Sequence, residues 1–182
     1  LVGPPTNQAN LEHMNMKLFD EIERNDYKLA QHAEPIFDYL NHTAREEFTR
    51  IRRELEKWFT RYPASGQAEL RARFRSGIDS QHQAAFFELF LHELLLRLGC
   101  RITLHPTVPN VSRTPDFLVK SPDSECFYIE ATIATNESDA EAAARARIND
   151  VLDVLNRRVD SPDFFLGIEI DSAPTTPPPV RR

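Results

Sequence analysis

Residues 114–134 read TPDFLVKSPDSECFYIEATIA. Two short runs rich in strand-forming residues, TPDFLVK and ECFYIEATIA, flank the turn-forming SPDS, so the stretch predicts a β-hairpin. With SPDS as the turn, the simplest register sets Val119 opposite Phe127, Phe117 opposite Ile129 and Asp116 opposite Glu130. Facing residues of an antiparallel pair share a face, with Cβ atoms about 4.5–5.5 Å apart. Two carboxylates at that spacing repel unless something positive sits between them. A hard divalent cation resolves the repulsion, because Mg²⁺ is commonly held by one or two carboxylates with waters and phosphate oxygens. A register slip or bulge that turns one acid to solvent, or a pairing with Arg113, resolves it as well.

Working outward, CRITLHP at 100–106 is an alternating strand that makes a three-stranded meander with the hairpin. Upstream, Ser80 is placed to cap QHQAAFFELFLHELLLRLG, a strongly apolar helix closed by Gly99 at the C′ position. Downstream, SDAEAAARARINDVLDVLNRRV is a helix with Ser138 as N-cap and with Ile148, Val151, Leu152 and Leu155 on one side. FFLGIEIDS at 164–172 follows as a fourth strand, and a right-handed crossover would set it parallel to the third. The expected core is therefore an α-β-β-β-α-β module with a mixed sheet, over residues 79–172. APTTPPPVRR, residues 173–182, reads as a proline-rich tail or linker.

Residues 1–78 read as a helical region. NLEHMNMKLFDEIERND, 10–26, places Leu11, Met14, Leu18 and Ile22 at helical spacing behind Asn10 as N-cap. A second run from Pro35 to Tyr62 carries an aromatic and aliphatic stripe, read as core in preference to a base-stacking platform, and Pro63 stops it. After PASG, QAELRARFRS forms a short helix ended by Gly77.

The chain has 182 residues, 41% hydrophobic and 27% charged, enough for one globular domain with a helical extension. No apolar run reaches the roughly 18–20 residues a membrane helix needs, and LVGPPTNQAN lacks the basic and apolar regions of a signal peptide. A cytoplasmic location is the expectation. Cys100 and Cys126 lack metal or disulfide spacing and read as free thiols. Of the net charge of −6, residues 45–75 contribute +4, from nine basic against five acidic side chains, so −10 lies elsewhere. That segment reads as a solvated helix face laced with i,i+4 pairs, with phosphate binding as the alternative.

Glu88 lies within the apolar AAFFELFLHELLL, where an ionised carboxylate is costly unless paired or coordinated. It stands eleven residues before Gly99, followed by a strand, Pro115-Asp116, and a hairpin return to Glu130-Ala131-Thr132 before helix and strand. In order, spacing and context these residues resemble the PD-(D/E)XK nuclease superfamily, the restriction-endonuclease-like fold, over roughly residues 80–171, in a bacterial branch with E-A-T in place of E-x-K.

The resemblance implies a metal-dependent nuclease, with DNA the favoured substrate. Asp116 and Glu130 would bind Mg²⁺ or Mn²⁺, Glu88 would assist from the helix, and the carbonyl of Ala131 would complete the shell. The third triplet position, usually a lysine that polarises the attacking water, is Thr132, whose hydroxyl carries no charge and is a weak base near neutral pH. Lys120, about 13 Å along the strand from Asp116, suits a phosphate or the turn. Arg113 suits a phosphate clamp or solvent. The alternative is a catalytically degenerate module that binds nucleic acid or a protein. No membrane partner is expected, and a homodimer is left open.

Overall fold

The computed structural model describes residues 16–109, 114–134, 137–159 and 167–176. Its elements are α1 (Ile36–His42), α2 (Glu46–Arg61), α3 (Ala64–Phe74), α4 (Asp79–Arg97), β1 (Arg101–Leu104), β2 (Phe117–Lys120), β3 (Cys126–Ile129) and α5 (Asp139–Arg158). The described chain forms two compact units, one from residues up to 27 with 36–133, the other from 28–35 with residues from 134 onward. No described helix is long and apolar enough to cross a membrane.

The first unit begins with a departure from the expected helix over 10–26. Residues 16–26 are not helical, and 10–15 lie outside the described residues. A helix satisfies its N–H groups internally, but here tertiary acceptors take them. Leu18 and Phe19 donate to the Glu56 carboxylate at 3.2 and 2.8 Å, and Asp20 donates to Asn41 Oδ1 at 3.1 Å. This open path buries the neighbouring Leu18 and Phe19. Phe19 stacks on Phe37, and Phe74 meets both rings edge-on with centroids 5.8 and 6.1 Å away. Such aromatic clusters bury large apolar areas in favourable ring geometry.

The expected run from 35 to 62 is two helices. Buried Thr43 pairs with Asp26 in an isolated bridge, and the Ala44 N–H donates to the Asp26 carbonyl, breaking the run between α1 and α2. Arg52 of α2 donates to the Leu40 carbonyl at 2.7 Å and so caps the C-terminal end of α1. Pro63 separates α2 from α3, as its fixed φ and missing N–H require. Gly66, inside α3, sits so close to its neighbours that a Cβ would lie 2.6 Å from Leu104 Cδ1 and 2.8 Å from Tyr62 Cε1. The core passes across residue 78 without a break, since Phe74 of α3 and His82 of α4 lie 4.5 Å apart, ring to ring.

α4 ends as its sequence requires. Gly99 takes φ +76°, the Cys100 N–H bonds the Leu95 carbonyl and the Gly99 N–H bonds the Leu96 carbonyl, a Schellman closure. The next residue enters β1, and β1-β2-β3 form an antiparallel meander in that order. Phe117 pairs with Ile129 and Val119 with Phe127, the register expected from the hairpin. Ser121 to Glu125 form the connection, with Ser124 at φ +70°. Phe117 and Val119 are buried in one core with Ala85 and Leu89 of α4.

In the second unit, Ser138 caps α5 through a capping box with Glu141, as expected. Asp153 is buried and accepts the N–H groups of His32 and Ala33 at 2.7 and 2.9 Å. Arg147 donates to the Pro174 carbonyl at 2.5 Å. The fourth strand is where the described structure departs from the expected mixed sheet. Residues 164–166 lie outside the described residues, and 167–171 are not in a strand, with Ile168 and Ile170 each 41% exposed. The alternation of those isoleucines with Glu169 and Asp171 suits a strand, but strand geometry persists only where a neighbour supplies the ladder. Among the described residues the sheet is three-stranded and wholly antiparallel.

Candidate functional site

Asp116 and Glu130 each lie one residue beyond the last ladder pair of the hairpin, Phe117 with Ile129. Asp116 is tied on both sides. Its carbonyl accepts the His105 N–H at 3.0 Å, just past β1, and its Oδ2 accepts the Ala131 N–H at 2.6 Å, just past β3. The carboxylate is thus fixed at the mouth of the strand pair by a charge-assisted bond to the Glu130-Ala131-Thr132 segment. Asp116 is half-buried, whereas Glu130, Thr132 and Lys120 are exposed. Arg113 lies outside the described residues.

Glu88 has other partners. It is 2% exposed, its Oε1 accepts the Tyr62 hydroxyl at 2.5 Å, and its Oε2 accepts Arg73 Nη2 at 2.6 Å. Arg73 also bonds Glu69, one turn away on α3. Burial, followed by the hydrogen bond to Glu88, pushes the Tyr62 hydroxyl far above its ordinary range, so it stays a proton donor. Burial works against the charge on Arg73, but its bonds to Glu69 and Glu88 outweigh it and keep the guanidinium charged. The apolar setting of Glu88 signalled a need for a partner. That the partners are Tyr62 and Arg73, 26 and 15 residues away, had no local signal.

Glu93, five residues further along α4, is also buried, and it is held by Arg61 at 2.5 Å and Arg97 at 2.7 Å. Its pKa is lowered, because those two cations outweigh the burial that would raise it. Between them lies His92, 2% exposed, with its ring 4.8 Å from Tyr62 and 6.3 Å from Phe117. Its Nδ1 has no hydrogen-bond partner among the described residues, and burial lowers its pKa to about 4. α4 therefore carries a chain of buried polar groups facing α2 and α3.

The donor chemistry gives a divided answer for a divalent cation. Among the described residues no three His, Cys, Asp or Glu side chains gather into a metal-binding group. Each oxygen of Glu88 already accepts one hydrogen bond, from Tyr62 or Arg73, and Glu88 belongs to no such group among the described residues. Asp116, Glu130 and the Ala131 carbonyl are hard oxygen donors, and a two-carboxylate half-site is what Mg²⁺ uses when water and phosphate fill the rest. Compared with family models, with curated proteins and with solved structures, the chain matches none. The class suggested for it therefore rests on its own residues: the motif order from Glu88 to Thr132 and the hairpin that seats Asp116 against Ala131.

Proposed function

We propose that the protein is a metal-dependent nuclease that hydrolyses phosphodiester bonds of nucleic acid, with DNA the favoured substrate. The observation that carries this reading is the 2.6 Å bond from the Ala131 N–H to Asp116 Oδ2. It supports the reading because it fixes one carboxylate beside the segment that bears the other. Asp116, Glu130 and the Ala131 carbonyl would hold Mg²⁺ or Mn²⁺. When bound, such an ion supplies a hydroxide nucleophile and neutralises charge developing on the phosphate.

The chain's own groups do the rest. The Ala131 N–H orients Asp116, leaving its Oδ1 for the cation. Thr132 is exposed and offers a hydroxyl that can align a water without acting as a strong base. Lys120, exposed at the far end of β2, suits a phosphate of the same strand rather than the reacting one. Tyr62 and Arg73 hold the buried Glu88 in the core.

A second reading, a nuclease-fold module that binds nucleic acid or a protein without cutting, is favoured by the engagement of Glu88 and by Thr132 in the lysine position. Labelled DNA and RNA incubated with Mg²⁺ or Mn²⁺, beside Asp116→Ala, Glu130→Ala and Thr132→Lys, separates the two. Metal-dependent cutting that both alanine variants abolish, and that Thr132→Lys increases, supports the nuclease. Salt-dependent binding without cutting in either metal supports the module, and cutting that survives both alanine substitutions removes the site.

A further inference from the structure

The meander has one covered face and one open face. Phe117 and Val119 of β2 lie in the core with α4, so Leu118 and Lys120, which alternate with them, point the other way. The register sets two cross-strand rows on that open side, Thr103, Leu118 and Tyr128 in one, Arg101, Lys120 and Cys126 in the next. Tyr128 is 51% exposed, and Thr103, Arg101, Lys120 and Cys126 are exposed beside it. Among the described residues the Tyr128 ring meets no other ring and its hydroxyl has no hydrogen-bond partner.

Arg101 and Lys120 are direct cross-strand partners, a position that brings Cβ atoms to about 4.5–5.5 Å and makes like charges destabilising. Among the described residues no carboxylate relieves either of them, whereas Arg45, Arg50, Arg61 and Arg97 on the helices each have one. The strand pair therefore carries two facing cations without an anion. A phosphate supplies one, since its oxygens accept from a guanidinium and an ammonium together. Asp116 immediately precedes β2, about 13 Å along the strand from Lys120, and the row of Tyr128 falls midway. Along one strand the chain thus offers carboxylate, aromatic ring and cation pair in that order.

We infer that the open face of the meander holds a single strand of nucleic acid, with one base stacked on Tyr128 and a phosphate held between Arg101 and Lys120. This inference rests on the reading of Asp116 and Glu130 as a site that acts on nucleic acid, and it adds that the strand is unpaired. An aromatic ring presented on a sheet surface is useful only to a base whose own face is free. In a duplex that face is covered by the neighbouring base pairs, which leaves only the cations to make contact. The half-buried Leu118 lies beside Tyr128 and gives the ring an apolar flank.

The test is the fluorescence anisotropy of a short labelled DNA single strand of mixed sequence, and of the same sequence as a duplex, titrated with the full chain in EDTA so that nothing is cut. The single strand should bind with a Kd of roughly 1–100 µM at low salt, and the duplex more weakly. Tyr128→Leu should weaken single-strand binding at least roughly fivefold, while Tyr128→Phe, which keeps the ring, should bind as the wild type does. Arg101→Gln and Lys120→Gln should each lower the slope of log affinity against log salt by about 0.7. All three positions are exposed, so the circular dichroism spectrum should not change. A single strand that does not bind, a duplex that binds as tightly, or single-strand binding indifferent to Tyr128→Leu overturns the inference. Cutting in Mn²⁺ is scored separately. Asp116-dependent cutting beside an affinity that Tyr128→Leu leaves unmoved overturns the inference and keeps the nuclease, whereas binding that depends on Tyr128 without cutting supports the inference and removes the nuclease.

Discussion

Replacing Arg73 by methionine tests whether Glu88 is a structural anion. Glu88 is 2% exposed and has two hydrogen-bond partners, so removal of Arg73 leaves an ionised carboxylate in the core with the Tyr62 hydroxyl alone. Removing one member of a buried ion pair costs roughly 3–5 kcal/mol. Arg73 is 31% exposed on its side chain, so water can reach the vacated space, and the low end, about 3 kcal/mol, is expected. For a chain of this length that corresponds to a fall of roughly 6–12 °C in the thermal midpoint. Urea denaturation followed by circular dichroism measures it directly. The double variant Arg73→Met, Glu88→Met removes both charges and should recover most of the loss, since an apolar pair of similar volume commonly equals or exceeds a buried ion pair. A loss below about 1 kcal/mol, or a double variant as unstable as the single one, would refute the account of Glu88 as an anion whose charge is balanced by Arg73.

Acidification provides a second test. His82 and His92 are buried, and burial lowers both pKa values, that of His92 to about 4. The unfolded chain binds those protons near pH 6.5, so stability is fully present above that pH and is lost as pH falls toward 4. Urea midpoints should drop between pH 7 and pH 5, and His92→Gln should flatten the dependence, removing about 2 kcal/mol of sensitivity across that window. At Gly66, alanine would raise helix propensity on an open surface. Here its Cβ would meet Leu104 and Tyr62 at 2.6 and 2.8 Å, so Gly66→Ala should destabilise by about 1–3 kcal/mol. A stabilised Gly66→Ala protein would show that Leu104 moves aside freely.

The hairpin was the most legible part of the chain, because alternation and turn chemistry act within twenty residues and fix the register together. Phe117 opposite Ile129 could be read from SPDS alone. The closure of α4 at Gly99 and the capping box at Ser138 were legible for the same reason, since each depends on neighbours three to five residues away. Residues 16–26 misled, because the spacing of Leu18 and Ile22 suits a helix. The decision belongs to Glu56 and Asn41, which accept the backbone N–H groups from another part of the chain. The break at Thr43 likewise follows from a bridge to Asp26 and not from any helix breaker. At the candidate site, the ladder pair next to Asp116, Phe117 with Ile129, could be read from the hairpin, whereas the partners of Glu88 could not, because Tyr62 and Arg73 reach it from distant parts of the sequence. The fourth strand needed a pairing partner that composition does not name.

The carboxylate of Asp153 bears on the order in which the protein takes shape on the ribosome. The N–H groups it accepts belong to His32 and Ala33, 121 and 120 residues earlier. Residues 28–35 leave the exit tunnel long before Asp153 does, and the chain from 36 to 133 emerges in the interval. Domains tend to fold as units during synthesis, and closing so long a loop has an entropic cost. The 28–35 segment therefore waits for its acceptor until Asp153 leaves the tunnel, after every residue of the first unit has emerged.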